Sequence, residues 1–261
     1  MTEIPVPPAV LDLARAARRV VVLTGAGMSA ESGVPTFRDA QSGLWERFDP
    51  AELATPDAWA RDAELVWAWY AWRAALVRAV KPNAGHRALA RWADGSGTAV
   101  EIVTQNVDDL HERAGSGVLA HVHGSLFAPR CESCSRPGDL GDLPVEPVAR
   151  LAPPRCRSCG GRVRPGVVWF GEMLPEGPLR RAEEACRAAD LVLVVGTSGL
   201  VWPAAGLPLL ARDAGVPTVE INPAVTDLSG QVEQVWRATA AEALPALVDA
   251  VLGAQPGAAE R

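Results

Sequence analysis

The stretch Arg19-Val-Val-Val-Leu-Thr24, running directly into Gly25-Ala-Gly-Met-Ser-Ala30, decides the fold. Four successive apolar residues without a polar interruption read as a strand buried on both faces, the condition of a parallel sheet covered by helices. The G-x-G-x-x-A turn behind it lets backbone approach a pyrophosphate closely and a helix start face it. Alone, that turn fits an ordinary strand-to-helix connection as well. Working outward, further strands are expected at 99–104, 191–196 and 217–221, with a weaker one at 118–121. Helical patterns fall between them at 10–18, 61–80, 84–93, 108–114, 179–189, 203–214 and 241–252. This alternation predicts an α/β protein, a Rossmann-like parallel sheet with helices on both faces. A nicotinamide dehydrogenase would add a second strand and a ribose-binding acid about 20 residues after the glycines. Residues 41–50 carry no such strand, which disfavours that class while leaving a dinucleotide ligand open.

Composition agrees with a folded globular chain. The protein has 261 residues, 48 % hydrophobic and 21 % charged, enough for one large core with a small module and far from the signature of disorder. No apolar run approaches the roughly 20 residues of a membrane span. The start, with Glu3, Asp12 and several prolines, is unlike a signal peptide, so a cytoplasmic location is expected. A net charge of −6 argues against a general nucleic-acid binder.

Four of the five cysteines pair as Cys131-x2-Cys134 and Cys156-x2-Cys159 with 21 residues between the pairs. Two such turns present four thiolates to one tetrahedral zinc ion, which leaves no open position and makes the metal structural. The surrounding Pro/Gly-rich segment offers little core of its own and needs a metal to hold it. Cys186 reads as a buried small hydrophobe. The strandless stretch 39–93 reads as a helical insertion that forms a smaller lobe with this module.

Polar clusters stand at the ends of the other strands: Thr104-Gln-Asn-Val-Asp108, Gly196-Thr-Ser198 and Glu220-Ile-Asn222. Ligands of open α/β sheets collect at such carboxyl ends. His121-Val-His123-Gly124 supplies a candidate base. On a strand, residues two apart share a face, so both imidazoles are expected to line the site, and the pattern does not choose between them.

Gly25-Ala-Gly-Met-Ser-Ala-Glu-Ser-Gly-Val-Pro-Thr-Phe-Arg38, Thr104-Gln-Asn-Val-Asp108, His123-Gly124, the two cysteine pairs, Trp169-Phe-Gly-Glu172, Gly196-Thr-Ser198 and Glu220-Ile-Asn222 occur in the order of the sirtuin family. The chain resembles that family from about residue 10 to residue 250, departing at Val107, where isoleucine is commoner, and at Ala238, where glycine is frequent. The resemblance implies an NAD-dependent protein lysine deacylase that consumes NAD and yields nicotinamide and O-acyl-ADP-ribose. It assigns Ala26, Gly27, Phe37 and Arg38 to the nicotinamide-ribose and phosphate region, Gln105, Asn106 and Asp108 to nicotinamide and its ribose, and Gly196, Thr197, Ser198 and Asn222 to adenosine. Gly25, Ser29, Glu31, Thr36, Trp45, Val107 and Ala240 complete the NAD contacts, and His123 and Asn106 are the catalytic pair. It further implies 1–38, 94–127 and 167–252 as the NAD-binding domain, 39–93 as the insertion, 128–166 as the zinc module and 253–261 as a frayed tail. An extended acyl-lysine peptide is expected between 167–172 and 199–202, with Val168, Phe170, Gly171, Glu172 and Val201 touching it. The chain is expected to act as a monomer, with no nucleic-acid or membrane partner.

Tyr70 and Arg73 lie three apart on one helix face. As plain pattern they fit an amphipathic helix with a solvated arginine. In the light of the resemblance, Tyr-x-x-Arg looks like the sirtuin subfamily that removes succinyl and malonyl groups, where a guanidinium fork meets the acyl carboxylate. The alternatives are a protein ADP-ribosyltransferase, a non-catalytic NAD or ADP-ribose sensor, and a zinc-ribbon nucleic-acid binder. The last is disfavoured because 130–165 holds only seven arginines against four acids and no interleaved aromatics.

Overall fold

The structure is a computed structural model that describes residues 4–35 and 49–253. Its centre is a six-stranded, all-parallel sheet: β1 (Arg19–Thr24), β2 (Ala99–Thr104), β3 (Val118–His121), β6 (Leu191–Val195), β7 (Thr218–Ile221) and β8 (Gln234–Trp236). Their spatial order is β3-β2-β1-β6-β7-β8, so the chain winds outward from β1 in both directions. The switch between β1 and β6 opens a crevice at the carboxyl ends of the strands. Strand β1 shows why its sequence needed two covered faces. Val20 and Val22 enter one core with α1 (Pro8–Ala16) and α10 (Ala240–Leu252), whereas Val21 and Leu23 enter another with α8 (Glu176–Ala188) and α9 (Leu207–Asp213). Cys186 is fully buried in that second core, and burial pushes its thiol up to about 12.

A third core joins the insertion to the cysteine module. It packs α4 (Pro56–Arg61) and α5 (Ala63–Ala79) against the two-stranded antiparallel sheet of β4 (Gly124–Cys131) and β5 (Val163–Val167), together with Cys131, Cys156 and Trp169. The small lobe is thus built from both expected pieces. Helix α5 starts at the Asp62 side chain, which accepts from Leu65 N–H, and α4 starts at Thr55, which accepts from Ala58 N–H. Helix α6 (Ala84–Gly95), inside the stretch 39–93, packs Ala88, Leu89 and Trp92 into the first core. Among the described residues no helix is long and apolar enough to cross a membrane.

Candidate active site

The carboxyl ends of β1, β2, β6 and β7 open into one cavity of about 1310 Å³ between the sheet and the small lobe. Its sheet side is assembled backbone to backbone. Gly25 N–H donates to the Val195 carbonyl at 3.0 Å, Gly27 N–H to the Gly196 carbonyl at 2.8 Å, and Gly196 N–H to the Ile221 carbonyl at 3.0 Å. A Cβ on Gly196 would lie 2.5 Å from the Met28 nitrogen, and one on Gly27 2.8 Å from Gly196 Cα, so only glycine fits this crossing of two turns. The helix α2 after the first turn is a single turn, Gly27–Ala30. Asn222 Nδ2 donates to the Thr197 carbonyl at 3.0 Å, and Gln105 Nε2 to Thr197 Oγ1 at 3.1 Å, knitting three strand ends together.

Beneath these loops lies a buried polar network. Ser29 Oγ donates to Asp108 Oδ2 at 2.9 Å and accepts from Asn106 Nδ2 at 3.1 Å. Burial holds the Asp108 carboxyl above its ordinary value, opposed by the donors Leu110 N–H and Ser29 Oγ–H. Behind Ser29, the rings of His86 and His111 pack at 4.8 Å with their planes tilted by 60°, both fully or nearly fully buried. Burial pushes His86 down to about 4 and His111 well below the usual histidine range, so both rings are neutral at pH 7.

The two histidines left open by the sequence have different fates. Strand β3 ends at His121, and the chain turns before β4, so the expected shared face is lost. His121 Nδ1 sits 3.2 Å from the Asn106 carbonyl and Nε2 2.6 Å from Glu112 Oε1. Both partners only accept, so both ring nitrogens carry hydrogen and His121 is an imidazolium. Burial opposes that charge, but the Glu112 carboxylate outweighs it and raises the His121 pKa. His123 Nδ1 lies 3.1 Å from the Gln105 carbonyl, which fixes the hydrogen there and leaves the Nε2 lone pair bare. Among the described residues that buried Nε2 has no hydrogen-bond partner, and His123 lines the cavity while His121 does not. Burial lowers the His123 pKa, keeping the ring neutral and basic near pH 7. Gly124, at φ 76° with Gly166 O 2.1 Å from where a Cβ would stand, lets the chain turn sharply at this point.

The small lobe supplies the opposite wall. Tyr70 and Arg73 of α5 both face the cavity. The Tyr70 ring packs edge-on to Trp69 at 4.6 Å, and burial holds its phenol well above the ordinary value, a neutral donor. The Arg73 guanidinium stands 5.2 Å from the Trp69 ring centre, and among the described residues it forms no ion pair. Burial lowers its pKa, while Tyr70 and Asp108 favour the charge. Glu172, expected to touch substrate, also lines the cavity but is already engaged. Its carboxylate pairs with Arg164 at 2.6 and 2.9 Å and accepts from Trp169 N–H at 2.9 Å. Arg164 and the Trp169 N–H hold Glu172 below the ordinary carboxyl range against the pull of burial.

Every other site residue expected from the sequence and described here lines this cavity: Gly25, Ala26, Gly27, Ser29, Glu31, Gln105, Asn106, Val107, Asp108, Gly196, Thr197, Ser198, Asn222, Ala240, Val168, Phe170, Gly171 and Val201. Thr36, Phe37, Arg38 and Trp45 lie outside the described residues. The sequence reading placed Trp202 in the peptide loop but did not single out Trp69 or the loop from Pro223 to Asp227, all of which line it too. That loop is tied down by Glu220, fully buried, which accepts from Thr226 and Ser229 and pairs with Arg237 at 3.1 Å. Glu220-Ile-Asn222 was visible as a motif, but nothing local showed what its carboxylate holds.

The four cysteine sulfurs Cys131, Cys134, Cys156 and Cys159 lie within 4.8 Å of one another, apart from the cavity. Three of the sulfur pairs stand at 3.5, 3.7 and 3.5 Å. Zn–S bonds of about 2.3 Å in a tetrahedron put sulfurs about 3.8 Å apart, so the donor set is compatible with one structural zinc. Backbone N–H groups of Cys134 and Ser133 lower the Cys131 thiol, and those of Ser158 and Cys159 bring Cys156 down to about 6, whereas at Cys159 the Gly161 N–H is outweighed by the sulfurs crowded around it, which push its thiol up to about 12.

The comparisons with known proteins agree with this geometry. The sequence profile of the Sir2 family matches residues 25–203. The chain is 58 % identical over 239 residues to an NAD-dependent protein deacylase 2 of Corynebacterium efficiens, covering 90 % of this chain and 94 % of that one. A solved Sir2 homolog in complex with NAD superposes with a TM-score of 0.88 at 44 % identity, covering 97 % of each chain. A Sir2 structure holding a deacetylated p53 peptide and 3′-O-acetyl ADP ribose superposes with a TM-score of 0.80 at 30 % identity, covering 92 % of this chain and 96 % of that one. With strand-end loops, a bare imidazole and a four-cysteine module in one arrangement, the chain belongs to the Sir2, or sirtuin, family.

Proposed function

We propose that the protein is an NAD-dependent protein lysine deacylase acting on succinyl- and malonyl-lysine in preference to acetyl-lysine. The observation that carries the chemistry is His123, whose fixed Nδ1–H and bare Nε2 face a cavity also lined by Asn106. NAD is a substrate here: the acyl oxygen of the modified lysine displaces nicotinamide from the anomeric carbon of the ribose. His123 Nε2 then takes the proton of a ribose hydroxyl as that oxygen attacks the former amide carbon, and water completes release of lysine and O-acyl-ADP-ribose. Asn106 and Asp108, cross-linked through Ser29, would hold the nicotinamide ribose in the geometry this attack needs. The zinc, held by Cys131, Cys134, Cys156 and Cys159, would maintain the small lobe and supply no step.

Arg73 carries the acyl preference. A guanidinium with no carboxylate partner among the described residues favours an acyl chain ending in one, while acetyl-lysine offers it nothing. A charge-assisted hydrogen bond is worth roughly 1.5–3 kcal/mol, about ten- to a hundredfold. The peptide is taken to lie extended beside residues 168–172 and the loop 199–202. Val168, Trp169 and Phe170 already commit their N–H groups to the His123 carbonyl, Glu172 and the Ala54 carbonyl, so pairing there draws on carbonyl oxygens. Mass spectrometry of matched acetyl- and succinyl-lysine peptides, with and without NAD, tests the reading. Both products should require NAD, and Arg73→Met should lose ten- to a hundredfold in desuccinylation while deacetylation stays within about threefold. Equal losses on the two peptides would sink the acyl preference. ADP-ribosylated protein in place of O-acyl-ADP-ribose would sink the deacylase.

A further inference from the structure

Trp169 and Tyr70, which line the cavity with Arg73, are held in place from the cysteine module. Trp59 of α4 is 5 % exposed, and its indole Nε1–H donates to Glu132 Oε2 at 2.7 Å. Glu132 lies inside the first cysteine turn, and its other oxygen accepts from Arg162 Nε, just past the second turn, at 2.8 Å. Its backbone N–H donates to the Arg162 carbonyl at 3.0 Å, so one residue joins both turns and grips Trp59. The Trp59 ring packs on Trp169 at 5.7 Å, and Trp169 packs beside Tyr70 at 6.5 Å. Arg164 stacks on Trp169 at 3.5 Å, which leaves that ring little freedom except along the side Trp59 fills.

We infer that Trp59 is a positioning residue for the acyl-lysine channel, holding Trp169 against Tyr70, and that Glu132 anchors it to the cysteine module. Tyr70 is a buried neutral donor whose aim depends on the rings beside it. A loosened Trp169 lets Tyr70 drift, which hurts an acyl chain that needs its hydroxyl more than one that needs only space. The inference rests on the deacylase reading above and adds the residue that aims its acyl pocket.

The test is steady-state kinetics of Trp59→Leu, Trp59→Phe and Glu132→Gln on succinyl- and acetyl-lysine peptides, with zinc content by atomic absorption and fold by circular dichroism. For Trp59→Leu, peptide KM should rise five- to tenfold and the succinyl-to-acetyl ratio of kcat/KM should fall at least threefold. The KM for NAD should stay within twofold, with one zinc per chain retained. Trp59→Phe, which keeps a ring against Trp169, should recover at least half of the lost ratio. If Trp59→Leu does not fold, Glu132→Gln reads the same quantity, with an expected two- to threefold rise in peptide KM. Unchanged peptide KM and ratio in the folded variants, or equal loss in the NAD and peptide KM, would overturn the inference. A wild type inactive on every acyl peptide overturns the deacylase reading itself, and the two failures are therefore distinct.

Discussion

The two walls of the cavity are built by different physics. On the sheet side, backbone groups of four strand ends bond to one another at 2.8–3.0 Å, and a single added methyl at Gly196 has no room. On the small-lobe side, rings and guanidinium groups face one another at 3.5–6.5 Å, packed together and pinned by side-chain bonds such as Arg164 to Glu172 and Trp59 to Glu132. The first kind of wall tolerates almost no change and suits a ligand that never varies. The second admits volume-conserving exchange, because cores repack around such swaps at a cost usually below about 1.5 kcal/mol. On the proposed reading, selectivity among acyl groups would belong on the wall that can be altered without dismantling the other.

The contrast is sharpest at His123, whose ring belongs to the rigid side. His123→Ala should lower turnover by about 10²–10⁴ while NAD affinity, measured by calorimetry, changes only a few-fold. The wild-type pH profile should agree. Burial lowers the His123 pKa in the free chain, so the active neutral ring persists as pH falls through 6.5 and the acid limb of kcat/KM lies below that value. An acid limb above pH 7 would contradict this assignment.

Next in size is the acid sensitivity of the sheet side. His86 titrates near 4 in the folded chain and near 6.5 when unfolded, and His111 is depressed as well. Between those values the unfolded chain binds more protons, so stability is full above about pH 6.5 and falls as pH drops towards 4, by about 3 kcal/mol for His86 alone. Urea midpoints at pH 7.5, 5.5 and 4.5 should show the fall, and His86→Gln should flatten it. Identical slopes in both proteins would remove the buried histidines from the account.

Gly196→Ala should destabilise by about 1–3 kcal/mol through overpacking against the Met28 nitrogen and weaken NAD binding at least tenfold. An alanine variant binding NAD normally would break the claim that this wall is rigid. The smallest effect belongs to Arg150, which pairs with Asp62 at 2.6 Å and Glu64 at 3.1 Å while 58 % exposed. Arg150→Ala should cost under about 1 kcal/mol in thermal unfolding, because exposed ion pairs contribute little and the third core holds the lobe. A larger loss would show that charge, not packing, joins the cysteine module to the insertion.

The same division explains what could be read from the chain. Strand β1, the glycine turn and the paired cysteines were legible because their signals are local: an apolar run, a spacing, two short knuckles. Strands β4 and β5 were not, since Pro129 and Pro165 sit within them and the pairing slips between Ser125 and Arg130, leaving no alternation to detect. Strand β8, three residues at the sheet edge, is too short to show a period. The choice between His121 and His123 turned on Glu112 and Gln105, partners that reach them only in three dimensions. The row Trp59, Trp169, Tyr70 was invisible for the same reason: the second ring arrives about a hundred residues after the first.

The crossing of Gly27 and Gly196 has a consequence for anyone redesigning this molecule. Two turns from opposite ends of the chain interlock without side chains, each occupying the space the other would need in order to widen. Enlarging the seat for a bulkier dinucleotide therefore cannot proceed one position at a time, since a change in either turn meets the other's main chain. An engineer seeking new chemistry would do better to leave that junction alone and recut the aromatic wall.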